Sequence, residues 1–303
     1  MTDRPLTAGV LGTSRKEHEL RLPIHPDHLE RIPQSCRGAL RFEEGYGRRW
    51  GLTQQRLAAF SAGTAPRARL LAECDVVLLP KPLPEDLREL REEGILWGWP
   101  HCVQQSEITQ AAIDRRQTLL AFEAMFHWSS RGERGVHLFY RNNELAGYCG
   151  VLHALELEGL DGYYGKERSA VLLGFGAVSR GAAYALEGRG IRDLTVLTQR
   201  PPHLVDDQRP GARHLQMRAA GDGVEVVAPD GTASPLLETL AGADLVINGT
   251  LQNPLRPLMF LREGEVERLP GAASSSTSRA TRAWASRSPA RPGSPTRSST
   301  SAR

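Results

Sequence analysis

The chain has 303 residues, 40% hydrophobic and 24% charged, the composition of a soluble globular protein long enough for two cores. It has no apolar run of about 18 residues, and its first residues, Met-Thr-Asp-Arg-Pro, lack the apolar core of a signal peptide, so no membrane partner and a cytoplasmic location are expected. The formal charge of +3 is local: six arginines and no Asp, Glu or Lys follow Gly271, the rest of the chain carries −3, and a nucleic-acid partner has little support.

Leu6 to Leu11 reads as a short apolar strand, followed by a charged loop containing Arg15, Lys16 and Arg21. Asp27 to Arg31 reads as a helix behind Pro26, Phe42 ends a second strand, and Gln54 to Phe60 is helical. Leu70 to Cys74 closes another helix, and Val76 to Leu79 is a buried strand that runs into Pro80-Lys81-Pro82. The two prolines hold Lys81 at the strand's C-terminal edge, the usual ligand side of a parallel sheet, although a lysine is by default solvated. A polar helix from Pro84 to Glu93 and a strand from Gly94 to Trp99 lead to His101, which is either a satisfied structural histidine or a group whose pKa suits proton transfer near neutrality. Arg21, Lys81 and His101 thus follow three strands as a carboxylate clamp, an amine and a proton carrier, a set suited to an α-keto acid. Cys36, Cys74, Cys102 and Cys149 form no Cys-x-x-Cys pair, so neither a metal site nor a disulfide framework is expected, and mostly buried thiols are.

Leu119 to Glu123 is a further strand, Phe126 to Gly135 a polar excursion, and Val136 to Tyr140 another strand. A long helix then opens near Arg141, capped by Asn142 or Asn143, and runs to about Leu157. Ala170 to Leu173 followed by Gly174-Phe-Gly176 and a helical pattern is a strand, glycine turn and helix. Such a turn lets a pyrophosphate approach backbone at a helix N-terminus, although glycine turns also serve packing alone. Gly174, Gly176, Ala177 and Val178 would form that cradle; the third glycine falls at Gly181, with Ser179 in its usual place. Asp193 to Leu197 is the next strand, ending in Thr198-Gln199-Arg200 without an acid. An acid there would bind a ribose hydroxyl of NAD; Arg200 either accommodates the 2′-phosphate of NADP or solvates the loop, and NADP(H) is favoured over NAD(H). Pro201 to Gly223 reads as loop with a broken helix, Val224 to Val227 as a strand, Pro235 to Leu240 as a helix, and Ala243 to Ile247 as a strand ending in Asn248-Gly249-Thr250.

In order, Lys-Glu-His-Glu-Leu-Arg21-Leu-Pro, Phe-Glu-Glu-Gly45-Tyr-Gly, Pro-Lys81-Pro, Gly98-Trp-Pro-His101-Cys-Val-Gln104, Phe139-Tyr-Arg-Asn-Asn143-Glu-Leu-Ala-Gly147 and the glycine turn resemble the alanine dehydrogenase and pyridine-nucleotide transhydrogenase superfamily over roughly residues 6 to 270. The Trp-Pro-His and Tyr-Arg-Asn-Asn-Glu segments are most similar to its carboxyethylornithine synthases. The resemblance implies an α/β fold of two doubly wound, parallel-sheet Rossmann-like domains, a keto-acid domain over 1–135 and a dinucleotide domain over 136–270, with the nicotinamide in the cleft between them. It implies that Arg21 and Lys81 hold the carboxylate and keto oxygen of pyruvate, with Gln104 beside them, and that His101 is the general acid/base. Asn143, Asn248 and Thr250 join the cofactor contacts. The expected reaction is NADPH-dependent reductive condensation of a keto acid with an amino-acid amine such as ornithine, in a homo-oligomer. Alanine or saccharopine dehydrogenase activity, or a catalytically impaired NADP-binding remnant, are the other readings.

Residues 271–303 change character to Ser, Arg, Ala, Thr, Pro and Gly, with Trp284 the one large apolar residue, the composition of a disordered segment. Shifting the reading frame back by one base permits GLVVDVSCDEG, a hydrophobic strand and an acidic turn, so the tail reads as a frameshift product in place of the superfamily's final strand and Asp loop. Sequencing the gene checks this: shifted codons near Thr277 and Thr281 are expected to encode Asp, and codons that cannot do so overturn it.

Overall fold

The structure, a computed structural model, describes residues 5–221, 223–250 and 258–269. The tail from 271 lies outside them. The chain divides into two units, Met1–Phe139 and Tyr140–Arg303.

The first unit is built on six parallel strands, β1 (Ala8–Val10), β2 (Leu40–Glu43), β3 (Thr64–Ala65), β4 (Val76–Leu78), β5 (Ile95–Gly98) and β6 (Thr118–Ala121), in the order β3-β2-β1-β4-β5-β6. This is the doubly wound order, with its switch point between β1 and β4, where ligands bind beyond the strand ends. Helices α1 (Gln34–Arg37), α2 (Gln54–Ala58), α3 (Arg67–Glu73), α4 (Pro84–Glu89) and α5 (Ser106–Asp114) connect the strands. Leu70, Leu71, Val77, Leu87, Leu96 and Ile108 form one fully buried core; Val10, Leu29, Phe42 and Tyr46 belong to a second. The helix expected behind Pro26 is a 3-10 helix, Pro26–Arg31. Two expectations are corrected here: α5 appears where no element is expected, and the stretch after β6 is a hairpin of β7 (Phe126–Trp128) and β8 (Arg134–His137). Phe126 pairs with His137 and Trp128 with Arg134 in antiparallel register, which makes the polar excursion a paired ribbon.

The second unit opens with α6 (Tyr140–Leu157), so Asn142 and Asn143 lie inside its first turn and do not cap it. Its sheet runs β13-β12-β11-β10-β9-β14, from β9 (Ser169–Leu173), β10 (Asp193–Thr198), β11 (Arg213–Ala220), β12 (Gly223–Val227), β13 (Ala233–Pro235) and β14 (Leu245–Asn248), with α7 (Ala177–Gly188) after β9, α8 (Leu236–Ala241) before β14 and α9 (Glu263–Val266) after it. Strands β11, β10, β9 and β14 are parallel, and β12 and β13 add an antiparallel edge. The stretch over Pro201 to Gly223, expected as loop with a broken helix, thus carries the eight-residue strand β11. Met217 is the one fully buried residue of β11, too sparse a signal to betray the strand by alternation.

Helices α6 and α7 touch backbone to backbone. A Cβ on Gly181 would sit 1.8 Å from the Glu144 carbonyl oxygen, and one on Gly147 1.9 Å from that of Val178. Gly181→Ala is therefore expected to cost about 3 kcal/mol or more in urea unfolding, because neither backbone can yield. Gly188→Ala, with nothing within 4 Å of its Cβ, is the control, and should change stability by less than about 1 kcal/mol, towards stabilisation. Equal effects from the two would overturn the close approach.

Candidate active site

In the first unit the loop after β1 is fixed from below. The Glu43 carboxylate, buried at the end of β2, accepts from the N–H of Gly12 (2.7 Å) and Thr13 (2.8 Å) and from the Thr13 hydroxyl (2.7 Å). Tyr46 lies against Gly12, where a Cβ would come within 2.8 Å of its ring, and its hydroxyl accepts from the N–H of Ile24 (2.9 Å) and donates to its carbonyl (2.7 Å). Burial pushes the Tyr46 phenol up, so it stays a neutral donor. The same loop is tied to α4 by Asp86, whose side chain is 0% exposed and paired with Arg67 (2.7 Å) and Arg15 (3.0 Å). These anchors hold both ends of the segment that carries Arg21.

Lys81 follows β4 and His101 follows β5. Their strand ends are brought together because Gly98 lets the Leu79 carbonyl pass where a Cβ would be only 1.9 Å away. Lys81 Nζ stands 2.7 Å from His101 Nε2. The Arg21 guanidinium lies 4.8 Å and the Lys81 ammonium 5.7 Å from the centroid of the Trp99 ring, so both cations share one indole. Glu19, its side chain only 7% exposed, is gripped by two nitrogens of Arg21. Burial would raise the Glu19 pKa, but the Arg21 hydrogen bonds more than offset this and hold the carboxyl ionised.

His101 sits at φ 48°, a left-handed conformation that costs energy in a histidine, and Glu123 compensates by accepting its N–H at 2.7 Å. The same Glu123 oxygen is 3.7 Å from His101 Nδ1, and the other, Oε2, is buried without a hydrogen-bond partner. Burial, then the neighbouring Lys81 charge, push the His101 pKa below its ordinary 6.5, and Glu123 opposes them. Burial, then Arg21, lower that of Lys81. Near neutral pH the arrangement is an ammonium donating to a neutral imidazole, a pair able to pass a proton to a substrate oxygen.

Arg21, Lys81 and His101 are thus brought together. Gln104 is exposed in the turn behind His101, its N–H bonded to the His101 carbonyl at 2.9 Å. The sequence alone does not single out Glu19, Trp99 or Glu123, although Glu123 follows β6 and obeys the strand-end rule that picks out Arg21, Lys81 and His101. A cavity of about 480 Å³ in this unit is lined by residues including Ile24, His28, Arg31, Ile32, Leu78 and Trp97, and none of Arg21, Lys81 and His101 lines it. Among the described residues no cluster of three or more His, Cys, Asp or Glu could hold a metal, and no helix is long and apolar enough to cross a membrane. The four cysteines are free, and Cys36 and Cys149 are exposed, against the expectation of mostly buried thiols, because Cys149 falls on the outer face of α6.

In the second unit the switch point lies between β9 and β14. Gly174 has φ +82° and would drive a Cβ to 2.8 Å from Thr250; Gly176 caps α7 with open space around it. The N–H groups of Ala177 and Val178 open the helix, where no intrahelical acceptor exists, and no acid stands in that first turn. A pyrophosphate fits this cradle. Asn248 Oδ1 accepts from the N–H (3.1 Å) and hydroxyl (2.5 Å) of Thr250, which shapes the facing turn. Arg200 is exposed two residues past β10, its carbonyl accepting from the Thr198 hydroxyl at 2.7 Å. Asn143 is half-buried in the first turn of α6.

Residues 10–144 match the family described as alanine dehydrogenase/PNT, N-terminal domain. An N(5)-(carboxyethyl)ornithine synthase of Lactococcus lactis subsp. lactis is 27% identical over 173 residues, 54% of this chain and 53% of that protein, and its counterpart in strain IL1403 is 25% identical over the same length. The match spans about half the length of these relatives. Among solved structures, an L-alanine dehydrogenase superposes with a TM-score of 0.60 at 18% identity, covering 87% of this chain and 71% of that one. The transhydrogenase of Sinorhizobium meliloti does so with 0.58 at 17%, covering 87% and 75%. These likenesses are of fold.

Removing the Lys81 charge while keeping its bulk, Lys81→Met, is expected to raise the pKa of His101 in an NMR titration, and Glu123→Gln to lower it further below 6.5. An unmoved His101 in Lys81→Met would mean that the two do not share a proton. Residues 10–144, somewhat under half of the chain, are thus similar to the alanine dehydrogenase/PNT N-terminal domain, and the likeness to the solved dehydrogenases is one of fold.

Proposed function

We propose that this chain is an NADPH-dependent reductase that condenses a 2-keto acid, pyruvate in the first instance, with the amine of an amino acid such as ornithine. The observation that carries the reading is the 2.7 Å contact of Lys81 with His101 beside Arg21. Arg21 takes the keto-acid carboxylate, and the Lys81 ammonium stands at the keto oxygen and polarises the carbonyl. The amine adds to C2, and the oxygen leaves as water once His101, resupplied by Lys81, has protonated it. The Gly174–Val178 cradle would hold the pyrophosphate of a nicotinamide cofactor, which would supply the hydride for reduction of the C2=N bond. The balance is one keto acid, one amine, one NADPH and one proton in, and one secondary amine, one water and one NADP⁺ out.

The choice of an amino-acid amine over ammonia rests on the carboxyethylornithine synthases among the relatives. NADPH over NADH rests on Arg200 and the absence of an acid from Thr198 to Arg200.

The test is NADPH oxidation with pyruvate and ornithine, lysine or ammonia, by this chain and by a version with the frame restored after residue 270. Turnover with an amino acid is expected, lost by a hundredfold or more in His101→Ala and Lys81→Ala while NADPH fluorescence binding persists. Turnover with ammonia alone overturns the amine assignment. Binding without turnover by this chain, with activity in the restored one, identifies it as an impaired form. Arg200→Ala should raise KM for NADPH about tenfold and leave that for NADH unchanged; equal changes overturn the NADP preference.

A further inference from the structure

The loop that leaves β10 at Arg200 is fastened to α7 at two points. Arg180, the fourth residue of α7, donates from Nη1 to the carbonyl (2.9 Å) and the carboxylate (2.6 Å) of Asp207, and from Nη2 to the carbonyl of Asp206 (2.7 Å). Two turns further along the helix, Glu187 accepts from two nitrogens of Arg209, whose guanidinium also lies 4.2 Å from the centroid of the Tyr184 ring.

The first of these clasps stands beside the cradle. The Arg180 guanidinium lies 4.4 Å from the ring centroid of Phe175, the residue between Gly174 and Gly176, and His214 of β11 meets the same ring edge-on at 5.2 Å. In a dinucleotide fold the glycine turn and the end of the second strand flank the adenosine ribose. Here those elements are Gly174–Gly176 and Thr198–Arg200, and the second is fixed by bonds from the Thr198 hydroxyl to the Arg200 carbonyl and from the Gln216 amide to the Gln199 carbonyl. Arg180 joins the two, resting on one and holding the loop that continues the other.

Of the three acceptors on Arg180, the carboxylate is the one the loop can release. The Asp207 side chain is 82% exposed and that of Arg180 21%, and an ion pair so open to water contributes little. Without it, two backbone carbonyls and the clasp of Arg209 with Glu187 still hold the loop. A phosphate monoester, with nearly two negative charges at neutral pH and three acceptor oxygens, is a stronger partner for a guanidinium fork than a carboxylate. An acid in this loop would suit the ribose hydroxyls of NAD, but the Asp207 carboxylate is already paired with a cation.

We infer, on the basis of the NADPH preference proposed above, that Arg180 is a second grip on the 2′-phosphate, beside Arg200, and that Asp207 holds the Arg180 guanidinium in the free protein and gives way to the phosphate. Asp207 has φ 51°, a left-handed conformation that asparagine also adopts, so Asp207→Asn removes the charge and keeps the backbone.

The full chain is titrated calorimetrically with adenosine 2′,5′-bisphosphate and with adenosine 5′-monophosphate, which differ only in the 2′-phosphate. The bisphosphate is expected to bind about tenfold or more tighter. Arg180→Gln should remove most of that difference and leave the monophosphate bound as before, whereas Asp207→Asn should tighten the bisphosphate about threefold and leave the monophosphate unchanged. Circular-dichroism melts verify that both variants are folded. Arg180→Gln weakening both nucleotides alike would mean that Arg180 only holds the loop, and Asp207→Asn weakening the monophosphate would make Asp207 a ribose ligand; either overturns the inference. A full chain that favours the bisphosphate with both variants indifferent overturns the role of Arg180 alone and leaves the phosphate to Arg200. A full chain that does not favour it overturns the NADPH preference and this role with it.

Discussion

The half-buried ammonium of Lys81 is the constraint on which the first unit depends. A cation removed from water must be paired or share its proton, and here the nearest group, at 2.7 Å, is a histidine rather than an acid. Arg21, a second cation on the same indole, has its charge met by Glu19, and Glu123 is bonded to the His101 backbone, which leaves Lys81 without a carboxylate of its own in the cluster. The cost is carried by structure away from the chemistry. Asp86 with Arg15 and Arg67, Glu43 with Gly12 and Thr13, and Tyr46 with Ile24 fix the loop after β1, so that Arg21 cannot drift from Trp99 when the charges repel.

The two units apply one geometric rule to different ends. In each, the first strand and the fourth parallel strand of the unit diverge at a switch point, β1 with β4 and β9 with β14, and the loops beyond carry the residues with chemistry. The first unit fills its switch point with charged side chains. The second leaves backbone there: Gly176 opens space, and the exposed N–H groups of α7 offer a positive helix end. One suits a small polar substrate and the other a phosphate group.

What could be read from the sequence follows the strength of local signals. Strands β2, β4, β5, β9 and β10 are short apolar runs ended by proline, glycine or a polar cluster, and each lies within two residues of where it reads. Strand β11 escapes because one buried methionine among Arg213, His214, Gln216 and Arg218 gives no alternation, and its pairing with β10 and β12 is non-local. Arg21, Lys81 and His101 stand out by strand-end position and residue type. Glu19 and Glu123 do not, since an acid two residues from an arginine, or one at the end of a strand, reads as solvated until its partners are in place. Cys149 is expected to be buried with the other thiols, since its residue type outweighs its place on the outer face of α6 until the helix is docked.

Ser179 shows how a fingerprint can be altered without losing its purpose. In the usual glycine pattern the third glycine lets the helix approach a strand, and here that position is a fully buried serine whose hydroxyl has no partner. The missing space is supplied from the other side, because a Cβ on Gly249, at the end of β14, would lie 2.1 Å from the Ser179 oxygen. The requirement for a small residue has moved from α7 to the turn it faces, while Gly181, two positions later, serves the contact with α6. The N-terminus of α7 is therefore held against the sheet as tightly as a glycine would hold it. Gly249, outside any motif, becomes as necessary to the cradle as Gly174.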